Sequence, residues 1–250
     1  MNGLFEALKQ NLSFIMVCLI VVIAFILIAR IFERLVGINN NARNKTYRIA
    51  FIGMFSAISG VLMCLEIPAV ATMFIAPSFY RFDFSEIPVL ICAFAYGPMA
   101  GVITEFIKIL IKLILKSTSS AFVGELANFI IGCSMILPAS LIYHIKKTRT
   151  TALVGMGIGT LVMTVIGAAF NGLYLLPAFA AMYGMPLDVI VGMGKEIHSS
   201  IDSVLSFAIL IVAPFNLLKG IIISTITFVL YKRVSILIHG VEKNGLARVK

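Results

Sequence analysis

Residues 12–29 read LSFIMVCLIVVIAFILIA, and the first charges after this apolar run are Arg30, Glu33 and Arg34. A helix that crosses a bilayer needs about 20 apolar residues. The run is too long for a signal-peptide core, and no small-x-small cleavage pattern precedes the arginines. Because basic residues mark the cytoplasmic side of a membrane, we predict an uncleaved spanning helix whose C-terminal end lies in the cytoplasm.

The composition extends this interpretation to the whole chain. Its 250 residues are 60% hydrophobic and only 12% charged, whereas a soluble domain is about half apolar and about a quarter charged. So little polar surface excludes a soluble globule, and 19 Phe exclude a disordered chain. The four cysteines show no C-x-x-C pairing and are interpreted as buried thiols. We predict an all-α integral membrane protein.

Six further apolar segments follow a polar stretch around residue 40. The chain is therefore expected to cross the membrane seven times. The six later spans are predicted at residues 46–65, 86–100, 101–115, 122–143, 152–176 and 209–231.

The charge distribution gives these spans one orientation. The net charge is +9, and thirteen of the 20 basic residues lie in the three segments 30–48, 146–149 and 232–250, together with only two acidic residues. This is the pattern of cytoplasmic loops rather than of a nucleic-acid site. We predict a multi-pass protein of the cell membrane with its N-terminus outside and its C-terminus in the cytoplasm.

Two loops on the opposite side are unusually rich in sequence features. Residues 66–85 mix proline, aromatic and small side chains and could cover a site as a lid. Residues 183–206 resemble a partly amphipathic helix at the outer interface. Ordinary connectors are the alternative for both.

Pairs of small residues four positions apart recur in the spans, and such pairs allow helices to approach closely in lipid. Most are expected to serve internal packing, whereas the pair in the second span could instead contact a membrane partner. The pairs are Gly53 and Ala57, Gly97 and Gly101, and Gly155 and Gly159.

No catalytic or metal-binding pattern is visible. The three histidines are isolated, and residues 189–196 lack the first Gly and the Ser/Thr of a P-loop. The chain is therefore predicted not to be an enzyme, and any ATP hydrolysis would take place on another chain.

A set of polar residues in apolar helices remains, and these residues are functional candidates because polar side chains are costly at membrane depth. They are Asn128, Asn171, Asn216 and Lys219.

These polar residues are expected to converge under the 66–85 loop. Asn offers both a donor and an acceptor, which suits a flat, mostly uncharged ligand such as a pyrimidine-dione or a polyol. Hydrogen bonds among the amides, as structural links between helices, are the alternative.

Around the same residues the sequence resembles the substrate-binding (S) subunits of energy-coupling-factor (ECF) transporters, specifically the riboflavin-binding RibU group. The similarity covers about residues 46–235 in the family's order. The matching stretches are FDFSEIP (82–88), YGPMAGV (96–102), GELANF (124–129), Asn171 with LLP (175–177), and PFNLLKG (214–220).

The resemblance implies a six-helix core that binds riboflavin from outside, with no other cofactor. It also implies a transmembrane coupling subunit and two cytoplasmic ATPases as partners. Asn171, Asn216 and Lys219 would hydrogen-bond the flavin, and Ala121 and Gly124 would line its ring. A looser match adds Ser78 and Tyr80 of the loop, and the small residues Gly53 and Ala57 would face the coupling subunit.

The chain departs from the family at its N-terminus, where the six-helix core has no counterpart to the first span. We divide it into an extra transmembrane helix (1–37), a polar cytoplasmic linker (38–45), the substrate-binding core (46–235) and a basic cytoplasmic tail (236–250).

Other functions stay open at this point. The same architecture could bind another flavin, such as FMN or a precursor. An autonomous secondary transporter would show internal repeats with broken helices, and we find no convincing repeat. A membrane-embedded enzyme would need paired carboxylates or histidines near an interface, and Glu105 and Glu125 lie near opposite ends of their helices.

Overall fold

The computed structural model describes residues 12–38, 45–65, 76–77, 80–118 and 120–247, with side chains as far as Tyr231 except at 13, 182 and 183. The described chain is helical throughout, as the apolar runs predict. In order, the helices are α1 Leu12–Leu35, α2 Lys45–Cys64, α3 Glu86–Tyr96, α4 Pro98–Lys116, α5 Val123–Lys146, α6 Arg149–Phe170, α7 Leu176–Tyr183, α8 Leu187–Ile197, α9 Val204–Phe207 and α10 Ala213–Ala247.

Two π-helical segments turn the shorter elements into continuous long helices. Asn171–Leu175 joins α6 to α7, and Ala208–Val212 joins α9 to α10. Each segment is followed two residues later by a proline, Pro177 or Pro214. A proline lacks the N–H that the carbonyl four residues earlier would accept, which is a local reason for leaving the α-helical pattern there.

Among the described residues, five helices are long and apolar enough to cross a membrane. Their bounds are Phe14–Leu35, Lys45–Cys64, Val123–Lys146, Arg149–Ala181 and Val204–Tyr231. The fourth and fifth of these extend beyond the predicted spans 152–176 and 209–231. The predicted amphipathic helix corresponds to α8 and ends at Ile197, since residues from Val204 onward belong to the last long helix.

The boundary between the third and fourth spans differs from the predicted one, which lay between residues 100 and 101. The break falls at Gly97, which has a φ of +99°, and Pro98 begins α4. A positive φ is easily adopted only by glycine, and proline is favoured in the first turn of a helix. The 11 residues of α3 rise about 16 Å, roughly half of a hydrocarbon core of about 30 Å.

The short helix α3 lies at the centre of the bundle. Every residue from Glu86 to Phe94 is buried, because α2, α4, α5 and α10 all pack against it. Large apolar side chains instead cover the outside of the bundle, where Ile114 is 76% and Leu173 is 84% exposed. A soluble protein rarely exposes so much contiguous apolar surface, and a lipid bilayer covers it.

Glycines at the contact of α5 with α6 allow the two helices to approach closely. A Cβ on Gly155 would lie 2.6 Å from the Ala139 carbonyl oxygen, and one on Gly159 would meet that of Met135 at 2.5 Å. This pair therefore serves internal packing, as predicted. Gly53 differs, since it is exposed on α2 and a Cβ there would have no neighbour within 4 Å.

Helix α1 packs against α4 and α5. The Phe25 ring meets Phe129 edge-on, with centroids 5.5 Å apart, and Ala29 is fully buried. At the end of the bundle that holds the Gly97 turn, the Glu33 carboxylate pairs with Arg48 of α2 at 2.9 Å. The extra N-terminal helix is thus joined to the core along its length and at one end.

Candidate functional site

The first wall of the site is the π-helical segment that begins at Asn171. The Asn171 side chain is 1% exposed, and its Nδ2 donates to the Gly167 carbonyl at 2.7 Å. Its Oδ1 accepts from the Tyr80 hydroxyl at 2.8 Å. Segments of π-helix are frequent at functional sites, and this one places a fully oriented amide at the cavity surface.

The segment at residues 80–85 enters the bundle instead of covering it from outside. Tyr80 packs between Phe207 and Phe215, with ring centroids 6.4 Å and 5.6 Å away. Burial raises the pKa of Tyr80, so its hydroxyl keeps the proton that it donates to Asn171. At the end of the segment, the Ser59 hydroxyl of α2 donates to the Ser85 carbonyl.

Helix α10 contributes two polar side chains one helical turn apart, Asn216 and Lys219. Both are almost fully buried, at 6% and 7% exposure. Asn216 fits against α6 because Gly167 has no side chain: a Cβ on Gly167 would overlap the Asn216 amide. The Lys219 Nζ points toward Asp83, with 3.4 Å to the carboxylate oxygen.

The opposite wall is the turn between α4 and α5. Lys112 Nζ pairs with the Glu125 carboxylate at 2.5 Å and donates to the Ser117 carbonyl at 3.0 Å. The Ser120 hydroxyl accepts from the Gly124 N–H at 2.9 Å and donates to Glu125 at 3.1 Å. This network holds a strained turn, because three of its non-glycine residues have positive φ. They are Ser117, Ala121 and Phe122, at 55°, 45° and 70°.

Between these walls lies a cavity of about 220 Å³. Its polar lining side chains are Tyr80, Arg81, Asp83, Lys112, Ser120, Glu125, Asn128, Asn171, Asn216 and Lys219. Its apolar lining side chains are Met63, Ala127, Ile131, Leu175, Phe179 and Phe215, and Gly124 adds backbone surface.

The structure thus brings together most residues that the sequence singled out. Asn171, Asn216, Lys219, Tyr80 and Gly124 all line the cavity, together with Asn128. Ala121 does not line it, although the adjacent Ser120 does. Ser78 lies outside the described residues. Gly53 and Ala57 are exposed on α2 and take no part in the cavity.

Two acidic residues that the sequence does not single out, Asp83 and Glu86, are buried as well, at only 3% and 2% exposure. The reason is that each finds a buried ammonium partner on another helix, which offsets the cost of leaving water. The charged residues of α4 could have indicated this, since Glu105, Lys108 and Lys112 share one face of an apolar helix.

These acidic residues belong to a group beneath the cavity that we call the interior charge cluster. Lys108 Nζ lies 2.6 Å from Glu105 and 3.5 Å from Glu86. Lys219 Nζ lies 3.5 Å from Glu86 and 3.4 Å from Asp83. The five side chains therefore form a chain of alternating sign, which runs from the cavity wall to the centre of the bundle.

Comparison with known proteins identifies the family of the chain. The family profile described as "ECF transporter, substrate-specific component" matches residues 47–231. The chain belongs to this family. The resemblance seen in the sequence is confirmed, and so is the prediction that the chain is not an enzyme, because the family consists of transporter components.

Similar S components and a solved structure extend the match over most of the chain. "Riboflavin transporter RibU" of Staphylococcus aureus (strain TCH60) is 33% identical over 196 residues, which cover 78% of this chain and 93% of the relative. "Riboflavin transporter FmnP" of Bacillus subtilis (strain 168) is 30% identical, with 73% and 88% covered. The structure described as "Structure and mechanism of the S component of a bacterial ECF transporter" is 32% identical, with a TM-score of 0.58 and 76% and 96% covered.

Proposed function

We propose that this S component captures riboflavin in the cavity between α5, α6 and α10 and delivers it inward, with ATP hydrolysed by partner subunits. The observation that carries the proposal is the set of three amides and one lysine around a single apolar cavity, at Asn128, Asn171, Asn216 and Lys219. Two relatives that cover most of the chain carry the name riboflavin transporter.

The chemistry of the cavity suits a flavin. The pyrimidine-dione edge of the ring alternates an N–H with carbonyl oxygens, and an Asn side chain can serve either kind of group. Lys219 offers only donors, which suits a carbonyl or ring nitrogen. The apolar side chains of Leu175, Phe179 and Phe215 provide surface for the remainder of the ring. A concave cavity that combines apolar surface with polar groups in fixed positions is the usual form of a small-molecule site.

The charges of the cavity favour a neutral flavin over a phosphorylated one. Lys112 is paired with Glu125, and Lys219 lies between Asp83 and Glu86. Neither lysine brings an uncompensated positive charge to the cavity, and two carboxylates would repel a phosphate. Arg81 also lines the cavity but is exposed, where solvent screens its charge.

The purified full-length protein tests the central proposal. We expect it to carry flavin after expression in flavin-containing cells, visible in its absorption spectrum and released on denaturation. We also expect the protein to quench the fluorescence of added riboflavin, with a dissociation constant for riboflavin below micromolar. A flavin-free protein that binds no added riboflavin at micromolar concentration would contradict the proposal.

Phosphorylation of the ligand is expected to weaken binding by about tenfold or more, which is about 1.4 kcal/mol. The physical reason is the absence of an uncompensated buried cation for the phosphate. Competition of FMN against riboflavin fluorescence quenching measures the difference, and repeating it at higher ionic strength separates the charge effect. Equal affinity for the two flavins would show that the cavity charges do not select the ligand.

The partner assembly is proposed to contain a transmembrane coupling subunit and two cytoplasmic ATPases. We place the coupling subunit against α2, where Gly53 and Ala57 are exposed on the outer face. A Cβ on Gly53 would meet nothing within 4 Å among the described residues, so the small surface leaves room for another helix.

Replacement of Gly53 by leucine tests this surface. We expect uptake of riboflavin by cells to fall several-fold while the affinity of the purified S component stays unchanged, because the added side chain obstructs only the partner. Gly157→Leu is the matched control, since Gly157 is an exposed glycine of α6 that also has open space around it. Equal loss of uptake in both variants would remove α2 from the coupling interface.

We further propose seven membrane passes, with the N-terminus outside and α1 added to a six-helix core. The division at 1–37, 38–45, 46–235 and 236–250 describes the extra helix, linker, core and basic tail. The basic segments support this orientation through the positive-inside rule.

Labelling of intact cells with an impermeant thiol reagent tests the orientation. In a background with the four cysteines replaced, we expect Asp202→Cys to react and Thr148→Cys to stay protected until the membrane is opened. Both residues are exposed at opposite ends of the long helices. The reverse pattern would invert the proposed topology.

A further inference from the structure

The interior charge cluster contains an odd number of charges. It combines three carboxylates, Asp83, Glu86 and Glu105, with two ammonium groups, Lys108 and Lys219. Within the described part of the chain, no further ion pair reaches these side chains. If all five were ionised, the cluster would hold one uncompensated negative charge in a region where exposure ranges from 0% to 7%.

An uncompensated charge at such burial costs several kcal/mol, and protein groups commonly avoid that cost by changing their protonation state. One proton on one of the three carboxyl groups would make the cluster neutral. The question is therefore which carboxyl group has the least support for a negative charge.

Two of the three carboxylates are well supplied with donors. Asp83 accepts from the Ser85 backbone N–H at 2.9 Å and from the Ser85 hydroxyl, and it faces the Lys219 ammonium. Glu86 lies 3.5 Å from the ammonium groups of both Lys108 and Lys219. Donors of this kind stabilise the ionised form of a carboxyl group.

Glu105 is the last side chain in this row of alternating charges, and it has fewer donors that would stabilise its ionised form. Its only ionic partner among the described residues is Lys108, which it shares with Glu86. Apart from the Lys108 ammonium at 2.6 Å, neither Glu105 oxygen has a donor among the described residues, and the side chain is 0% exposed.

Among the described residues, helix α5 adds no strong donor to the surroundings of Glu105. Helix α5 presents the bare backbone of Gly132, where a Cβ would lie 2.5 Å from a Glu105 oxygen, and next to it the Cys133 thiol. The titratable and charged groups that face Glu105 from its own helix and from the elements around it are Lys108, Glu86, Asp83, Lys219 and Cys133.

We propose that Glu105 is a proton-binding site, so that the protein at neutral pH carries one proton on this carboxyl group. Lys108 then pairs with Glu86, and the Glu105 carbonyl oxygen accepts from the same ammonium. The cluster becomes electrically neutral without any ligand. This inference does not depend on the identity of the transported molecule.

Infrared spectroscopy of the full-length protein tests the site directly. The carbonyl stretching band of a protonated carboxyl group is separate from the stretching bands of carboxylates. Labelling the side-chain carboxyl of glutamate with ¹³C shifts this band to lower frequency and so identifies it as glutamic acid. We expect a labelled band in the wild type that is absent in Glu105→Gln. It should persist in Glu196→Gln, the control at an exposed position of α8.

A second variant tests the charge count itself. Glu86→Gln leaves two carboxylates and two ammonium groups, so we expect Glu105 to lose its proton and the band to disappear although Glu105 is present. A band that survives in Glu105→Gln, or persists in Glu86→Gln, would overturn the proposal. If Glu105→Gln does not fold, the labelled wild-type protein alone decides the question. A wild-type spectrum without any glutamic acid band would overturn the proposal.

Discussion

Replacing Lys219 by methionine is expected to abolish tight riboflavin binding and to destabilise the protein by about 3–5 kcal/mol. The lysine serves two purposes in the structure. Its ammonium lines the cavity, and it lies 3.4–3.5 Å from the carboxylates of Asp83 and Glu86. The substitution removes a ligand donor and leaves the buried Asp83 without an ammonium partner among the described residues, while Glu86 keeps Lys108. We expect the dissociation constant to rise more than about a hundredfold.

Fluorescence quenching and thermal unfolding of the detergent-solubilised protein measure the two effects separately. Lys195→Met is the matched control, because Lys195 is an exposed lysine of α8. The double variant Lys219→Met with Asp83→Asn removes the carboxylate that Lys219→Met leaves unpaired, so stability should partly recover while affinity does not. Wild-type affinity in Lys219→Met would remove this residue from the ligand site.

The second large effect is expected at Asn216. Its amide is 6% exposed and faces the cavity from a position that the missing side chain of Gly167 makes possible. Asn216→Ala should weaken riboflavin binding by about 1–3 kcal/mol, or about 5- to 150-fold, because the ligand group it serves is left buried without a partner.

The unfolding temperature distinguishes a ligand contact from a structural link between helices. Loss of a ligand contact lowers affinity and leaves the ligand-free protein close to its original stability. Thr225→Ala provides the control on the same helix, where an exposed hydroxyl donates only to the Ile221 carbonyl. A variant of Asn216 that loses stability but keeps its affinity would favour the structural alternative.

The helices that the sequence predicts best are those with the longest apolar runs. Residues 12–35, 45–64 and 123–146 form helices close to the predicted bounds, because a bilayer imposes a minimum length on each run. The division at Gly97 was misplaced, since apolar residues flank it on both sides. Its location depends on a backbone conformation that composition does not reveal.

In the site, the sequence indicated residues that stand out within their own helix, but not those whose partners are distant along the chain. Asn171, Asn216 and Lys219 stood out because polar side chains are rare in apolar helices. Asp83 did not, because its ammonium partner lies 136 residues away along the chain. Pairing across that separation depends on the packed bundle, and only the charged face of α4 offered a local indication of it.

The position of Glu125 has a consequence for the route by which a ligand reaches the cavity. This residue lines the cavity on one side and, on the other, an apolar crevice bounded by Cys18 and Val22 of α1 and by Phe129 of α5. Glu125 is thus shared by the cavity and this crevice, and helix α1 packs on the crevice side. We therefore expect a ligand to enter and leave at the end of the bundle that carries Tyr80 and the α4–α5 turn, and not past α1.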